Sequence, residues 1–270
     1  MIQRSITSAG EEHANFWNEL ADEYQTETRI SITDFHYGPL LPGDTQLKLL
    51  PPDLSELTCL ELGAGAGQNS IYLNKAGAHC TALDVSEKQL EHGRTLAARH
   101  IADVHFLHAD IDELPPFEQN FDLIHSAYGI PFSSHPAALI QHCADLLKPG
   151  GQLLFSMGHP VYAGEWLELD EDQGIFMQSY FHPQPDVRES EDAAVQARAY
   201  PLSEVIAWIK EAGLHITDLR EPAALPVDQM NEVEISMNVP YYSIAWAEQV
   251  KELSKFPVVA IFSAHKPLED

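Results

Sequence analysis

The chain has 270 residues, 44% of them hydrophobic, which suits one α/β domain with insertions or a domain with a small cap. Fifteen basic residues stand against 41 acidic ones, a formal charge of −26, and such a surface repels nucleic-acid backbones and anionic membranes. Cys59, Cys80 and Cys143 have no paired spacing and fall in predicted strands and a helix, so they read as buried thiols of a cytoplasmic protein.

Residues 1–7 carry no apolar signal region. Residues 11–28 predict an amphipathic helix with Ala14, Trp17, Leu20, Ala21 and Tyr24 on one side. Residues 34–43 form a Gly- and Pro-containing loop rich in aromatics, with Phe35, His36 and Tyr37 in succession.

Residues 59–62, Cys-Leu-Glu-Leu, predict a buried parallel strand. Gly63, Gly65 and Gly67 follow at alternate positions, and a helix then runs to a stop at Ala76-Gly77. Strand, glycine turn and helix open a βαβ unit, with helix N–H groups facing an anionic ligand group. The dinucleotide fingerprint G-x-G-x-x-G is not met, because the third glycine comes one residue early. Residues 78–84 are the second strand. It ends on Asp84, about 20 residues after Gly63, where nucleotide folds place a ribose-binding carboxylate. Ser86 and Gln89 form a candidate capping box for a helix over 86–100.

The third strand covers 104–108 and leads into Ala109-Asp110-Ile111. The fourth covers 120–126, and Tyr128 follows it at the strand edge where open α/β sheets bind ligands. His135-Pro136 begins a helix through 147, Lys148-Pro149-Gly150-Gly151 turns the chain, and the fifth strand spans 152–157. His159 then lands at the same edge, where a neutral imidazole can take a proton.

Residues 161–199 show no clear period and read as an acidic, aromatic insertion, part of a lid. Glu165, Glu168, Asp170, Glu171 and Asp172 are expected on its solvated face. A helix over 202–212, a strand over 214–221, a second insertion over 222–240, a helix over 241–253 and a last strand over 256–264 complete the chain. That last apolar run is too short to span a bilayer. Six histidines in or near predicted loops (36, 125, 135, 142, 159 and 182) lack the spacing of metal ligands, so no metal is expected.

Glu61-x-Gly63-x-Gly65-x-Gly67, the strand-two acid, Asp110-Ile111 and Leu147-Lys148-Pro149-Gly150-Gly151 fall in one order that resembles the class I S-adenosylmethionine-dependent methyltransferases of small-molecule type, the ubiquinone- and menaquinone-biosynthesis-like group. Residues 16–24, Phe-Trp-Asn-Glu-Leu-Ala-Asp-Glu-Tyr, resemble the helix that covers the cofactor cleft there. The resemblance implies a Rossmann-like, seven-stranded, mostly parallel sheet with helices on both faces and an antiparallel last strand. It implies an N-terminal cover over 1–50, a cofactor-binding half over 51–157, a substrate lid over 158–200 and a second part of the same domain over 201–270.

It also implies S-adenosyl-L-methionine as methyl donor, held by Glu61, Gly63, Ala64, Gly65, Gly67 and Asn69 at the turn, by Asp84 and Val85 at the ribose, by Asp110 and Ile111 at the adenine, and by Ser126. His159, Tyr128 and Tyr37 are the candidate catalytic or acceptor-facing residues. The acceptor is a small molecule, with neither nucleic acid nor membrane as partner. O-, N-, C- and S-methylation stay open, and so does the oligomeric state. An NAD-dependent oxidoreductase, a protein of this fold with non-methyl chemistry, and a silent binding module are the alternatives.

Overall fold

The computed structural model describes residues 6–169, 172–190 and 193–268. The expectations for residues 1–5, for Asp170 and Glu171, and for the side chains of Glu168 and Asp172 lie outside the described residues.

Seven strands form the central sheet: β1 (Thr58–Leu62), β2 (His79–Asp84), β3 (Val104–His108), β4 (Phe121–Ala127), β5 (Leu147–Gly158), β6 (His215–Arg220) and β7 (Val259–His265). Their spatial order is β6-β7-β5-β4-β1-β2-β3. β1 pairs parallel to β2 and β4, β2 to β3, and β4 to β5. β7 runs antiparallel to both of its neighbours and is inserted between β5 and β6, not added at the edge.

The inner strands β1, β2, β4, β5 and β7 are largely buried on both faces, as a covered parallel sheet requires, while the edge strands β3 and β6 are more exposed. Leu60, Leu62, Leu83, Phe155 and Phe262 pack on one face with Leu139 and Ile140 of α4 (Pro136–Leu146) and Val205 and Ile209 of α5 (Leu202–Glu211). Phe155 and Phe262 stack across β5 and β7 at 5.1 Å. Cys59, Cys80, Leu123, Leu154 and Ile261 point to the other face, against Leu49, Leu73, Val227 and Leu253. All three cysteines are free and buried.

Three further helices frame the C-terminal edge of the sheet: α1 (Ser8–Glu27), α2 (Gln68–Lys75) and α3 (Glu87–His100). α1 crosses that edge, with Asn18 Oδ1 accepting from Ser86 Oγ and Lys88 N. The capping box of Ser86 and Gln89 forms by half. Ser86 Oγ accepts from Gln89 N, whereas Gln89 Oε1 accepts from Gln25 Nε2 of α1.

Two sequence expectations change. Residues 161–199 hold two antiparallel hairpins, Glu165–Leu169 with Asp172–Phe176 and Asp186–Glu189 with Ala194–Ala197. Strands of four or five residues repeat a two-residue alternation too few times to stand out. Within 241–253, Tyr241–Ser243 is a strand paired with Thr28–Ile30, and only then come two four-residue helices, Ile244–Ala247 and Val250–Leu253. The strand's partner is some two hundred residues away, so local pattern carries no trace of it.

Candidate active site

β1 lies between β2 and β4, so the strand order reverses at its C-terminal end, where open α/β sheets leave a crevice. A cavity of about 290 Å³ fills that position, near the lower end of the small-molecule range of ~300–1,000 Å³.

One half of its wall is the glycine turn. Gly63, Ala64, Gly65 and Ala66 line it. Gly63 has φ +65, and a Cβ there would stand 3.0 Å from Gly129 Cα, so the close approach of the two backbones depends on glycine. Glu61 lines the cavity from beneath and accepts from Ser70 N and Oγ at 3.0 and 2.6 Å. Burial pushes its carboxyl up to about 7, against the opposing pull of the Ser70 bonds. Behind it, His125 Nδ1 lies 4.0 Å from Glu61 Oε1, and burial lowers that imidazole to about 3.

Asp84 closes the β2 side. Gly65 N donates to Oδ2 at 2.7 Å and Ser86 N to Oδ1 at 2.8 Å, so the carboxylate is aimed by the backbone. Burial raises its pKa, which those N–H bonds oppose. Asp110 and Ile111 line the far end with Val85. Asp110 Oδ2 accepts from Thr7 N and Oγ1, at the cap of α1, and Oδ1 accepts from Asp112 N.

The other half is aromatic: Trp17 and Tyr24 from α1, Tyr128 and Phe132 after β4, and Tyr241 and Trp246 from the 241–253 segment. The Tyr24 and Tyr241 hydroxyls bond to each other. Tyr128 sits at φ +66, uncommon for a bulky residue, with its backbone N–H on Ser156 O. Arg188, from the second hairpin, is the only Lys or Arg among the described residues of the lining. Two bonds to Asp186 hold its guanidinium, which lies 5.6 Å from the Phe132 ring centre.

Nine of the fourteen residues expected at the site thus line one cavity: Glu61, Gly63, Ala64, Gly65, Asp84, Val85, Asp110, Ile111 and Tyr128. The other five do not. Gly67 caps α2 at φ +66, where a Cβ would press on the Phe106 ring at 2.9 Å. Asn69 is buried and clamps the His36 peptide, accepting from its N–H and donating to its carbonyl. Ser126 Oγ donates to Leu62 O and accepts from Gly129 N. Tyr37 donates to Asp44 in the core.

His159 is also engaged elsewhere. Its Nδ1 accepts from Val161 N, so Nε2 carries the proton and donates to Glu221 Oε1 at 2.7 Å. Neither nitrogen is left to take a substrate proton. His36, Tyr24, Tyr241, Trp246 and Arg188 are among the lining residues that the sequence did not assign to the site. Among the described residues no group of three or more His, Cys, Asp or Glu side chains is placed to hold a metal ion.

This sheet order, with a glycine turn and strand-end acid at its reversal point, is that of an open α/β fold whose crevice is the usual place of a nucleotide-type ligand. A family model described as a methyltransferase domain matches residues 59–151. A demethylmenaquinone methyltransferase of Clavibacter sepedonicus is 37% identical over 35% of this chain and 38% of its own length. A ubiquinone biosynthesis O-methyltransferase of Coxiella burnetii is 27% identical over 67% of this chain and 72% of its own. A Mesorhizobium loti S-adenosylmethionine-dependent methyltransferase structure superposes with a TM-score of 0.62, at 23% identity, over 82% of this chain and 95% of that one, and shares the fold. Together these matches support a class I S-adenosylmethionine-dependent methyltransferase, with S-adenosylmethionine as methyl donor.

The lining suits that donor. The turn offers backbone without side chains, Asp84 presents an oriented carboxylate within the cavity, and Asp110 with Ile111 pairs an acid with an apolar side chain at the far end.

Proposed function

We propose that the protein methylates an oxygen atom of a small-molecule acceptor. The observation that carries this reading is the division of one cavity into an acid-and-glycine half and an aromatic half. The first half suits the donor, with Asp84 for the ribose, Asp110 and Ile111 for the adenine, and the Gly63–Gly65 backbone with Glu61 for the methionine end. The second suits a flat, partly apolar acceptor, since aromatic walls bind rings face or edge on. The C. burnetii relative is named an O-methyltransferase, which favours oxygen as the atom methylated.

The donor supplies an activated methyl group, so the chain's own residues are needed chiefly to position the acceptor and exclude water. Positioning alone supplies up to roughly 7–11 kcal/mol of a barrier. α1 covers one side. The Asp186–Glu189 hairpin covers another, docked by Ser190 Oγ on Glu19 and by buried Val195. We assign that hairpin as the acceptor lid. The surface charge of −26 argues against nucleic-acid acceptors, and no helix among the described residues is long and apolar enough to cross a membrane.

Methyl-labelled S-adenosylmethionine, incubated with the protein and a panel of small hydroxylated aromatics, tests the reading. Label in an ether product with matching S-adenosylhomocysteine supports it. Donor binding without label transfer to any oxygen contradicts it.

A further inference from the structure

We propose that His36 receives the proton of the acceptor hydroxyl as that oxygen takes the methyl group. The inference rests on the methyl-transfer reading above and assigns its proton path.

His36 lines the cavity, yet its residue is only 7% exposed. Its Nδ1 is fully enclosed with no hydrogen-bond partner among the described residues. A polar side chain buried this deeply normally has a partner. The ring itself is firmly placed. Asn69, on the helix after the glycine turn, holds the His36 peptide by two hydrogen bonds, and the ring meets Tyr241 edge-on at 5.2 Å. The imidazole is thus held in the cavity wall by its own backbone and by ring packing, not by hydrogen bonds to its nitrogens, which leaves Nε2 for a ligand.

Glu61 also lines the cavity, with one carboxylate oxygen held by Ser70 N and Oγ, and is assigned above to the methionine end of the donor. The Tyr24 and Tyr241 hydroxyls are used on each other. Burial holds the proton on Tyr128, whose hydroxyl is therefore a donor. Asp84 and Asp110 are engaged by backbone N–H groups and by Thr7, and Arg188 has no acceptor site. His13, the other histidine of the lining, lies by Asp110, at the opposite end from the turn. Burial lowers His36 to about 3, so its ring is neutral and keeps a lone pair. Because Nδ1 has no partner among the described residues, none of them fixes the tautomer through it. A hydroxyl donating to Nε2 sets it, leaving the ring proton on Nδ1.

The step balances. The acceptor oxygen bonds to the methyl carbon while the carbon–sulfur bond breaks, its electron pair passing to sulfur. The oxygen, now an oxonium, gives its proton to His36 Nε2. An oxonium is a far stronger acid than an imidazolium, so even a weakened base accepts that proton. One positive charge enters on sulfur and one remains on the ring, in a cavity walled by Glu61, Asp84 and Asp110, until solvent takes the proton as product leaves.

The test compares wild type with His36→Gln and His36→Ala on catechol and on 4-nitrocatechol, at an assay pH where only the latter is already ionised. Calorimetry with S-adenosylhomocysteine reports the donor site, and nitrogen-15 NMR of the histidine rings reports the tautomer. The expected result is unchanged S-adenosylhomocysteine affinity, catechol turnover reduced on the order of 10²-fold, a much smaller loss on 4-nitrocatechol, and a Nδ1–H ring at His36 when S-adenosylhomocysteine and catechol are both bound. Equal losses on both phenols, no loss on either, or a wild type that binds S-adenosylhomocysteine yet turns over neither phenol with S-adenosylmethionine would each overturn the proposal. Absence of S-adenosylhomocysteine binding to wild type would instead sink the methyl-transfer reading.

Discussion

Gly65 N donates to Asp84 Oδ2 at 2.7 Å, tying the acid at the end of one strand to the turn that leaves its neighbour. The bond aims the carboxylate into the cavity before any ligand arrives. Asp84→Asn keeps the size and loses the charge. Donor-site affinity is expected to fall about tenfold or more, since hydrogen bonds to a charged group contribute ~1.5–3 kcal/mol. Calorimetry with S-adenosylhomocysteine measures it, and an unchanged Kd would remove Asp84 from the ribose.

Glu61 links the site to pH. Its carboxyl lies at about 7 in the folded protein against an ordinary 4.5. Below 4.5 it is protonated both folded and unfolded. Between 4.5 and about 7 the native state holds the extra proton, so stability falls as pH rises through that window and levels off above it. At ~1.4 kcal/mol per pH unit the loss comes to roughly 3 kcal/mol at most. Glu61→Gln cannot ionise and should lack this fall. Tm of the variant should gain on wild type as pH is raised across the window, and parallel Tm curves would disprove the assignment.

The three glycines of the turn should separate by what a methyl group meets. At Gly67 it meets the Phe106 ring at 2.9 Å, whereas at Gly65 the nearest atom is Gln89 Oε1 at 4.0 Å. Both positions have positive φ, so each alanine carries backbone strain of about 1–3 kcal/mol. Gly67→Ala adds a packing clash and should be clearly less stable in urea unfolding than Gly65→Ala. Gly65→Ala, which lines the cavity, should show the larger loss of donor affinity. The reverse ranking would misplace the turn.

His159→Gln removes the imidazole that caps the 160–163 turn and bonds Glu221. Because Glu221 is nearly half exposed, the ion-pair share is discounted, and the expected cost is about 1 kcal/mol of stability. Donor affinity and methyl-transfer kcat should stay near wild type. A large kcat loss with unchanged Tm would return His159 to the chemistry.

What was legible in the sequence was local. Cys59–Gly67 reads as strand and turn because the apolar run and the glycines are adjacent, and Asp84 follows at the spacing of one βαβ unit. Tyr24 and Tyr241 meet across 217 positions through a three-residue strand pair, which no window of sequence contains. His36 looked like one loop histidine among six, and its isolation emerges only once the neighbours that fail to bond it are in place. His159 stood at the right sheet edge, but which way its ring turned depended on Glu221, contributed by the segment after β6. Asn69 and Ser126 lay beside true lining residues in sequence and serve the backbone behind them.

The most direct test of the central claim is a crystal structure with S-adenosylhomocysteine. The ribose hydroxyls are expected within hydrogen-bonding distance of Asp84, the adenine beside Asp110 and Ile111, and the sulfur facing His36 and the aromatic half. S-adenosylhomocysteine bound elsewhere, or a pyridine dinucleotide occupying this cavity in its place, would contradict it.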